Sequence, residues 1–348
     1  MLIFFASGSL SAQQSLFFNA SGGFMIPHRE EIRGLVTSHS KGFEVGAMWN
    51  TDGSKTWHQR YDHPLWGLEG YFSDLGNEAL GKQGALSIFT RLPSFRRPHF
   101  SAYWHFGIGA GYSNATWDLE TNNKGIVLGS HINTTLSLGY YTEICVGEKL
   151  SLTAGIRMTH LSNGAVVMPN LGTNNAALSL GCRYSIKDEV VSSTRPNIPA
   201  VRGMQINIGY AAGIRQNQPA GGPTHLVHTL SVAGAYRFNY SSSVLFGSDV
   251  FYNTSIRPFL IRDNGSYTPS DLVQMGLFAG YSQHFDRMEF RIMAGYYLKN
   301  AYSGNGSLYH RFGFRYRITD HLMAQLHLKT HFAKADYPEI GIVWFRGR

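Results

Sequence analysis

Two polar side chains stand on a face that is otherwise apolar. Between Lys149 and Ser162, the residues Leu150, Leu152, Ala154, Ile156, Met158, His160 and Ser162 share one parity. Ser151, Thr153, Gly155, Arg157, Thr159 and Leu161 share the other. Successive side chains on an extended strand face opposite sides, so His160 and Ser162 fall among the hydrocarbon groups. A polar group without a partner is costly in such surroundings, and two neighbours on one face relieve that cost by bonding each other. A hydroxyl beside an imidazole that can accept its proton is also what nucleophilic catalysis needs. The plainer alternative is a strand that ends here, with both residues reaching water.

The elements that must hold this pair are legible in the rest of the chain. Its 348 residues include 39 Gly, with 14% aromatic and 15% charged side chains and a mean hydropathy of −0.17. Disorder calls for high charge and few aromatics, and a helical span for about 20 apolar residues in a row; the sequence has neither. So much Gly with so many aromatics also excludes a coiled coil. The prevailing period is two. Ala102, Trp104, Phe106, Ile108, Ala110 and Tyr112 alternate with Tyr103, His105, Gly107, Gly109 and Gly111, and the segments 205–214, 289–298 and 308–318 alternate in the same way. These runs of about 9–14 residues exceed the usual soluble strand and suit a tilted bilayer crossing. Aromatics gather near their ends, and Arg, His, Glu and Gly share their polar faces. The fold class expected is all-β, an antiparallel transmembrane β-barrel; a soluble carbohydrate-binding sandwich fits the strand lengths less well.

About eight strands precede Lys187 and seven or eight follow Arg202. One barrel of about 14–16 strands is the expectation, with two eight-stranded barrels in tandem as the alternative, both even-numbered as bacterial outer-membrane barrels are. Residues 13–187 form the first half, 188–202 a linker with Pro196 and Pro199, and 203–348 the second half. Residues 1–12 carry the short apolar run Leu2–Phe5 and then small residues that end in Ser11-Ala12 before Gln13, and read as a clipped secretory signal peptide. The net charge of +8 does not gather into a stripe, which argues against a nucleic-acid partner and leaves anionic lipid as the counterpart. Cys145 and Cys182 could pair in an oxidising compartment but build no framework, no metal-ligand cluster stands out, and no cofactor is expected.

The stretch that follows the pair is the most specific feature. It reads His160-Leu161-Ser162-Asn163-Gly164, then Asn170-Leu171-Gly172-Thr173-Asn174, and leads into a strand with Ala176, Leu178, Leu180, Cys182, Tyr184 and Ile186 on its apolar parity. This resembles the outer-membrane lipid A 3-O-deacylases, whose signature is His-x-Ser-Asn, a short loop with a further Asn and Gly, and a final amphipathic strand. The resemblance covers roughly residues 13–187. It implies an outer-membrane serine esterase that removes an ester-linked acyl chain from lipid A, with lipopolysaccharide as substrate and membrane lipids as surroundings. Ser162 would be the nucleophile and His160 the general base. Asn170, with Asn163 or nearby backbone N–H groups, would stabilise the oxyanion, a task worth on the order of 100-fold or more in other serine hydrolases. Taken singly, Asn163 and Asn170 are ordinary turn residues.

One position departs from the family. The acid that should orient the histidine lies fourteen residues after it, and this chain has Asn174 there. Asn174 shares the parity of Ala176 and Leu178, so it should face the same side as His160. An amide can hold an imidazole tautomer but brings no charge against an imidazolium. Glu143, on the parity of His131, Asn133 and Ser137, should lie inside the barrel and not substitute. The competing function is therefore a non-catalytic barrel, a channel or a structural protein, that retains a degenerate motif. Thr330-His331-Phe332-Ala333 echoes Thr159-His160-Leu161-Ser162, but it has Ala at the nucleophile position and puts His331 on the inward parity, so no second site is expected.

Overall fold

In the computed structural model, residues 14–186, 198–217, 219–332 and 334–347 are described. The expected signal peptide, most of the linker and Ala333 lie outside them. Among the described residues, eight strands make up the first half: β1 (Gln14–Met25), β2 (Ser40–Asn50), β3 (Leu65–Asp74), β4 (Lys82–Arg97), β5 (Phe100–Ser113), β6 (Ile132–Cys145), β7 (Leu150–Ser162) and β8 (Thr173–Ser185). The second half has β9 (Gly203–Gln216), β10 (Thr224–Asn239), β11 (Ser242–Asn253), β12 (Val273–Phe285), β13 (Met288–Lys299), β14 (Leu308–Arg317), β15 (Leu322–His331) and β16 (Lys334–Gly347). Every neighbouring pair is antiparallel.

Each half closes on itself. β1 pairs with β8 over Ser15↔Ser185 to Met25↔Asn175, and β16 pairs with β9 over Glu339↔Gly213 to Gly347↔Gln205. The chain thus forms two closed eight-stranded barrels and not the single barrel of about 14–16 strands. The second of the two sequence-based architectures holds. Strand alternation is the same in both, so only the partner of the first strand separates them.

Parity sorts the walls as the sequence required. On the first barrel Leu86, Leu178, Leu180 and Ile156 point outward, between 58% and 75% exposed, and contribute to a broad apolar exterior. A surface of this extent is not left to water in a soluble monomer, and it matches the apolar band of a lipid-facing barrel. No described helix is long and apolar enough to cross a membrane, so any crossing falls to the strands. Trp49 stacks on Trp66 and Trp104 meets Tyr140, with ring centroids 4.7 and 4.9 Å apart. Both pairs lie toward the end where β1 begins, as an interfacial girdle would.

The interior of the first barrel is filled by ion pairs and hydrogen bonds. Arg157 reaches Glu69 at 2.7 Å and Glu44 at 3.5 Å, Tyr141 donates to Glu44 at 2.8 Å, and Arg91 meets Glu143 at 3.0 Å. The Tyr141 ring lies against the wall at Gly155, where a Cβ would come within 2.5 Å of it. Eight strands leave room for such side chains and little else. Buried charges persist only when paired in this way. Glu143 is buried, as its parity required. The second barrel is built alike, with Arg311 between Asp249 and Glu339, and Lys329 on Asp336 at 2.8 Å. Cys145 and Cys182 are free thiols.

Connections in the first barrel are unequal. The loops 26–39, 75–81, 114–131 and 163–172 lie at one end; 51–64, 98–99 and 146–149 lie at the other. At the first end Met25, Ile32, Leu35, Leu75, Leu80, Val127 and Leu128 pack into a buried apolar cluster, with Leu171 against it. That cluster holds the loops which surround the end of β7.

Candidate active site

β7 and β8 are in register so that His160 lies opposite Asn174. Residues opposed across an antiparallel pair share a face, and both side chains here project outward. Asn174 Oδ1 lies 2.7 Å from His160 Nδ1, and Ser162 Oγ lies 2.9 Å from His160 Nε2. The three residues expected to act together are therefore brought into one hydrogen-bonded row on the outer wall, at the end of the barrel with the apolar loop cluster. Each is part-buried among its neighbours.

The loop between the two strands is tied at several points. The Asn163 backbone N–H donates to Asn170 Oδ1 at 3.0 Å, which closes the loop on itself. Asn163 Nδ2 donates to Ser130 Oγ at 2.8 Å, and the Gly172 N–H to the Val127 carbonyl at 2.8 Å. These bonds join 163–172 to the neighbouring loop 114–131. They also engage both the backbone and the side-chain donors of Asn163, so its visible work is to shape the loop. With Oδ1 held by Asn163, the Nδ2 of Asn170 is the donor its amide retains. Gly172 has φ +76°, and a Cβ there would approach His160 Cε1 to 2.8 Å. The glycine is required twice, by its backbone conformation and by the ring above it.

His28 completes the row, and sequence reasoning did not single it out. The Ile26 N–H donates to the Asn174 carbonyl at 2.7 Å, so the chain leaving β1 continues alongside β8. Pro27 follows, and His28 turns back with Nδ1 2.9 Å from Asn174 Nδ2 and Nε2 3.0 Å from the Leu171 carbonyl. It lies 146 positions before Asn174 in the sequence, with no local pattern around it to mark it. Barrel closure through β1 and β8 brings the two together.

The first barrel matches the family model described as lipid A 3-O-deacylase (PagL) over residues 41–183, and the second matches that described as acyloxyacyl hydrolase, C-terminal domain, over residues 204–347. The chain belongs to the lipid A 3-O-deacylase family. None of the curated proteins compared matches it. Among solved structures, a triple mutant of the Rhodopseudomonas blastica porin is 9% identical, with 97% of this chain and 99% of that chain covered and a TM-score of 0.18. CdiB from Acinetobacter baumannii is 9% identical over 96% of this chain and 60% of that one, with a TM-score of 0.20. Overlaps this weak carry no argument.

Within this deacylase family chain, the described residues of the echoed tetrapeptide in the second barrel form no outward counterpart of the His160 row. His331 is buried, with Nε2 3.0 Å from the Tyr297 hydroxyl. A hydroxyl–imidazole–carboxylate group, Ser243, His284 and Glu289, lies elsewhere in the second barrel. Its serine is 2% exposed and its glutamate is paired with Arg291 at 2.7 Å, so it belongs to the packing of the interior.

Proposed function

We propose that the first barrel is an outer-membrane serine esterase that hydrolyses an ester-linked acyl chain of lipid A. Ser162 Oγ attacks the ester carbonyl carbon as His160 Nε2 takes its proton. The tetrahedral intermediate expels the sugar oxygen, which leaves with the proton from His160, and the acyl chain stays on Ser162. Water, deprotonated by the same imidazole, then releases the fatty acid. Asn174 holds the imidazole by Nδ1, and Asn170 Nδ2 is the side-chain donor assigned to the oxyanion.

The observation that carries this reading is the row Ser162–His160–Asn174 on the outward wall, at bonding distances of 2.9 and 2.7 Å. It lies at the barrel end with the longer loops, which in bacterial outer-membrane barrels face the cell exterior. An acyl ester of the outer leaflet would meet it sideways, from the lipid. Its neutral third member favours the competing reading of a retained but idle motif, and activity decides between them. Ser162→Ala and His160→Ala should each abolish the loss of an acyl chain from lipid A, followed by mass spectrometry, while heat-modifiable gel migration stays that of the folded barrel. Hydrolysis that survives in Ser162→Ala would end the serine-esterase reading.

A further inference from the structure

We infer that His28 is a positioning residue which, through Asn174, fixes the ring proton of His160 on Nδ1. This inference rests on the esterase reading for its consequence, and on the bond directions alone for its geometry.

An asparagine in this place has a difficulty that a carboxylate lacks. Either oxygen of a carboxylate accepts from an imidazole, whereas an amide has one accepting end and one donating end. If Asn174 turned its Nδ2 to His160, Nδ1 of the ring would have to accept. The proton would then sit on Nε2, where it blocks the transfer from Ser162. A wrong tautomer of this kind costs up to about 10⁴-fold in a serine protease.

The structure contains a fixed point from which the directions can be worked out. The Leu171 carbonyl can only accept, and it lies 3.0 Å from His28 Nε2, so that nitrogen carries the proton. In a neutral ring Nδ1 of His28 is then an acceptor. Asn174 Nδ2 lies 2.9 Å from it and donates. The same amide therefore presents Oδ1 to His160 Nδ1 at 2.7 Å, and that nitrogen must donate. Nε2 of His160 is left as the acceptor, 2.9 Å from Ser162 Oγ. The Ile26 carbonyl also approaches His28 Nδ1, at the longer distance of 3.4 Å, and leaves the amide as the closer partner. Reversing the amide would set two acceptors against each other at Leu171. The backbone holds both anchors, since Leu171 packs against the buried loop cluster and Ile26 is bonded to Asn174.

The test uses the full-length protein in detergent micelles. His28→Ala should lower kcat for lipid A deacylation about fivefold, the weight of one ordinary hydrogen bond, with KM unchanged within twofold. His28→Gln, whose Oε1 can accept from Asn174, should recover most of the loss. In an Asn174→Asp background, where both oxygens accept, the penalty of His28→Ala should shrink below twofold. ¹⁵N NMR of the His160 ring should show the proton on Nδ1 in the unsubstituted protein and moved toward Nε2 in His28→Ala. An unchanged kcat and tautomer in His28→Ala, or an equal penalty in the Asn174→Asp background, would overturn the inference. If the unsubstituted protein does not deacylate lipid A, the esterase reading fails; the ring-proton measurement needs no substrate and still decides the role of His28.

Discussion

Replacing Asn174 by glutamate puts a charge where the structure has only a dipole, and the size of the effect can be worked out. Asn174 Oδ1 lies 2.7 Å from the His160 nitrogen that must carry positive charge during proton transfer. A carboxylate oxygen about 3 Å from an imidazolium interacts by about 1.4 kcal/mol at the dielectric of water and about 5.5 kcal/mol at an effective value near 20. The site is part-buried and its His28 side is open to solvent, so the working value lies between these. From it come off the amide bond already present, about 1 kcal/mol, and the cost of partly desolvating the new carboxylate. About 1–2 kcal/mol of transition-state stabilisation remains. At 1.36 kcal/mol per factor of ten, Asn174→Glu should raise kcat by about 5- to 30-fold at neutral pH. The assay is the initial rate of acyl loss from lipid A in mixed micelles, with Ser162→Ala as the blank. Asn174→Ala, which removes the amide, should slow the reaction but less than His160→Ala does. If neither substitution at 174 moves the rate while Ser162→Ala is inactive, the partner of His160 during turnover is another group and the electrostatic reasoning fails.

Three further predictions follow from the same geometry. Gly172→Ala forces a non-glycine residue to φ +76° and a Cβ to 2.8 Å from His160 Cε1; because about 1 Å of misplacement can cost 100-fold, kcat should fall by about 10- to 100-fold with heat-modifiable migration retained, and a near-normal rate would mean that the loop yields freely. Glu69→Ala removes the 2.7 Å partner of Arg157 inside the wall and leaves it Glu44 at 3.5 Å, which should cost about 1–3 kcal/mol, read as a lower urea midpoint in lipid vesicles. His331→Ala removes a ring bonded to Tyr297 inside the second barrel and should leave deacylation within twofold of normal; loss of activity in a folded variant would show that the second barrel serves the same reaction.

What the sequence could reveal was set by the range of each interaction. The faces of His160, Ser162, Asn174 and Glu143 follow from parity along single strands, and the β6–β7 and β7–β8 registers together with the burial of Glu143 agree with them. Closure is different, because it depends on whether β1 meets β8, a pairing across the whole first half that leaves no mark in local alternation. One large barrel and two small ones therefore looked alike. The same non-local pairing hides His28, which reaches the site only because the chain leaving β1 is bonded to Asn174 at Ile26. Asn163 was legible as part of the motif, but the use of its donors on Asn170 and Ser130 depends on how loop 163–172 folds against loop 114–131.

The substitution of Asn for an expected acid was the strongest sign against catalysis when the motif was considered alone, because an uncharged partner both weakens the imidazolium and can be turned the wrong way. These are separable losses. The charge is absent from the bonded partners of His160 among the described residues, and Glu143 lies inside the wall against Arg91. The direction is restored by a bond that an acid would not have needed, from the Asn174 amide to a histidine held on a backbone carbonyl. On the esterase reading, this arrangement gives a slower enzyme with a correctly set imidazole, and Asn174→Glu and His28→Ala probe the two losses in turn.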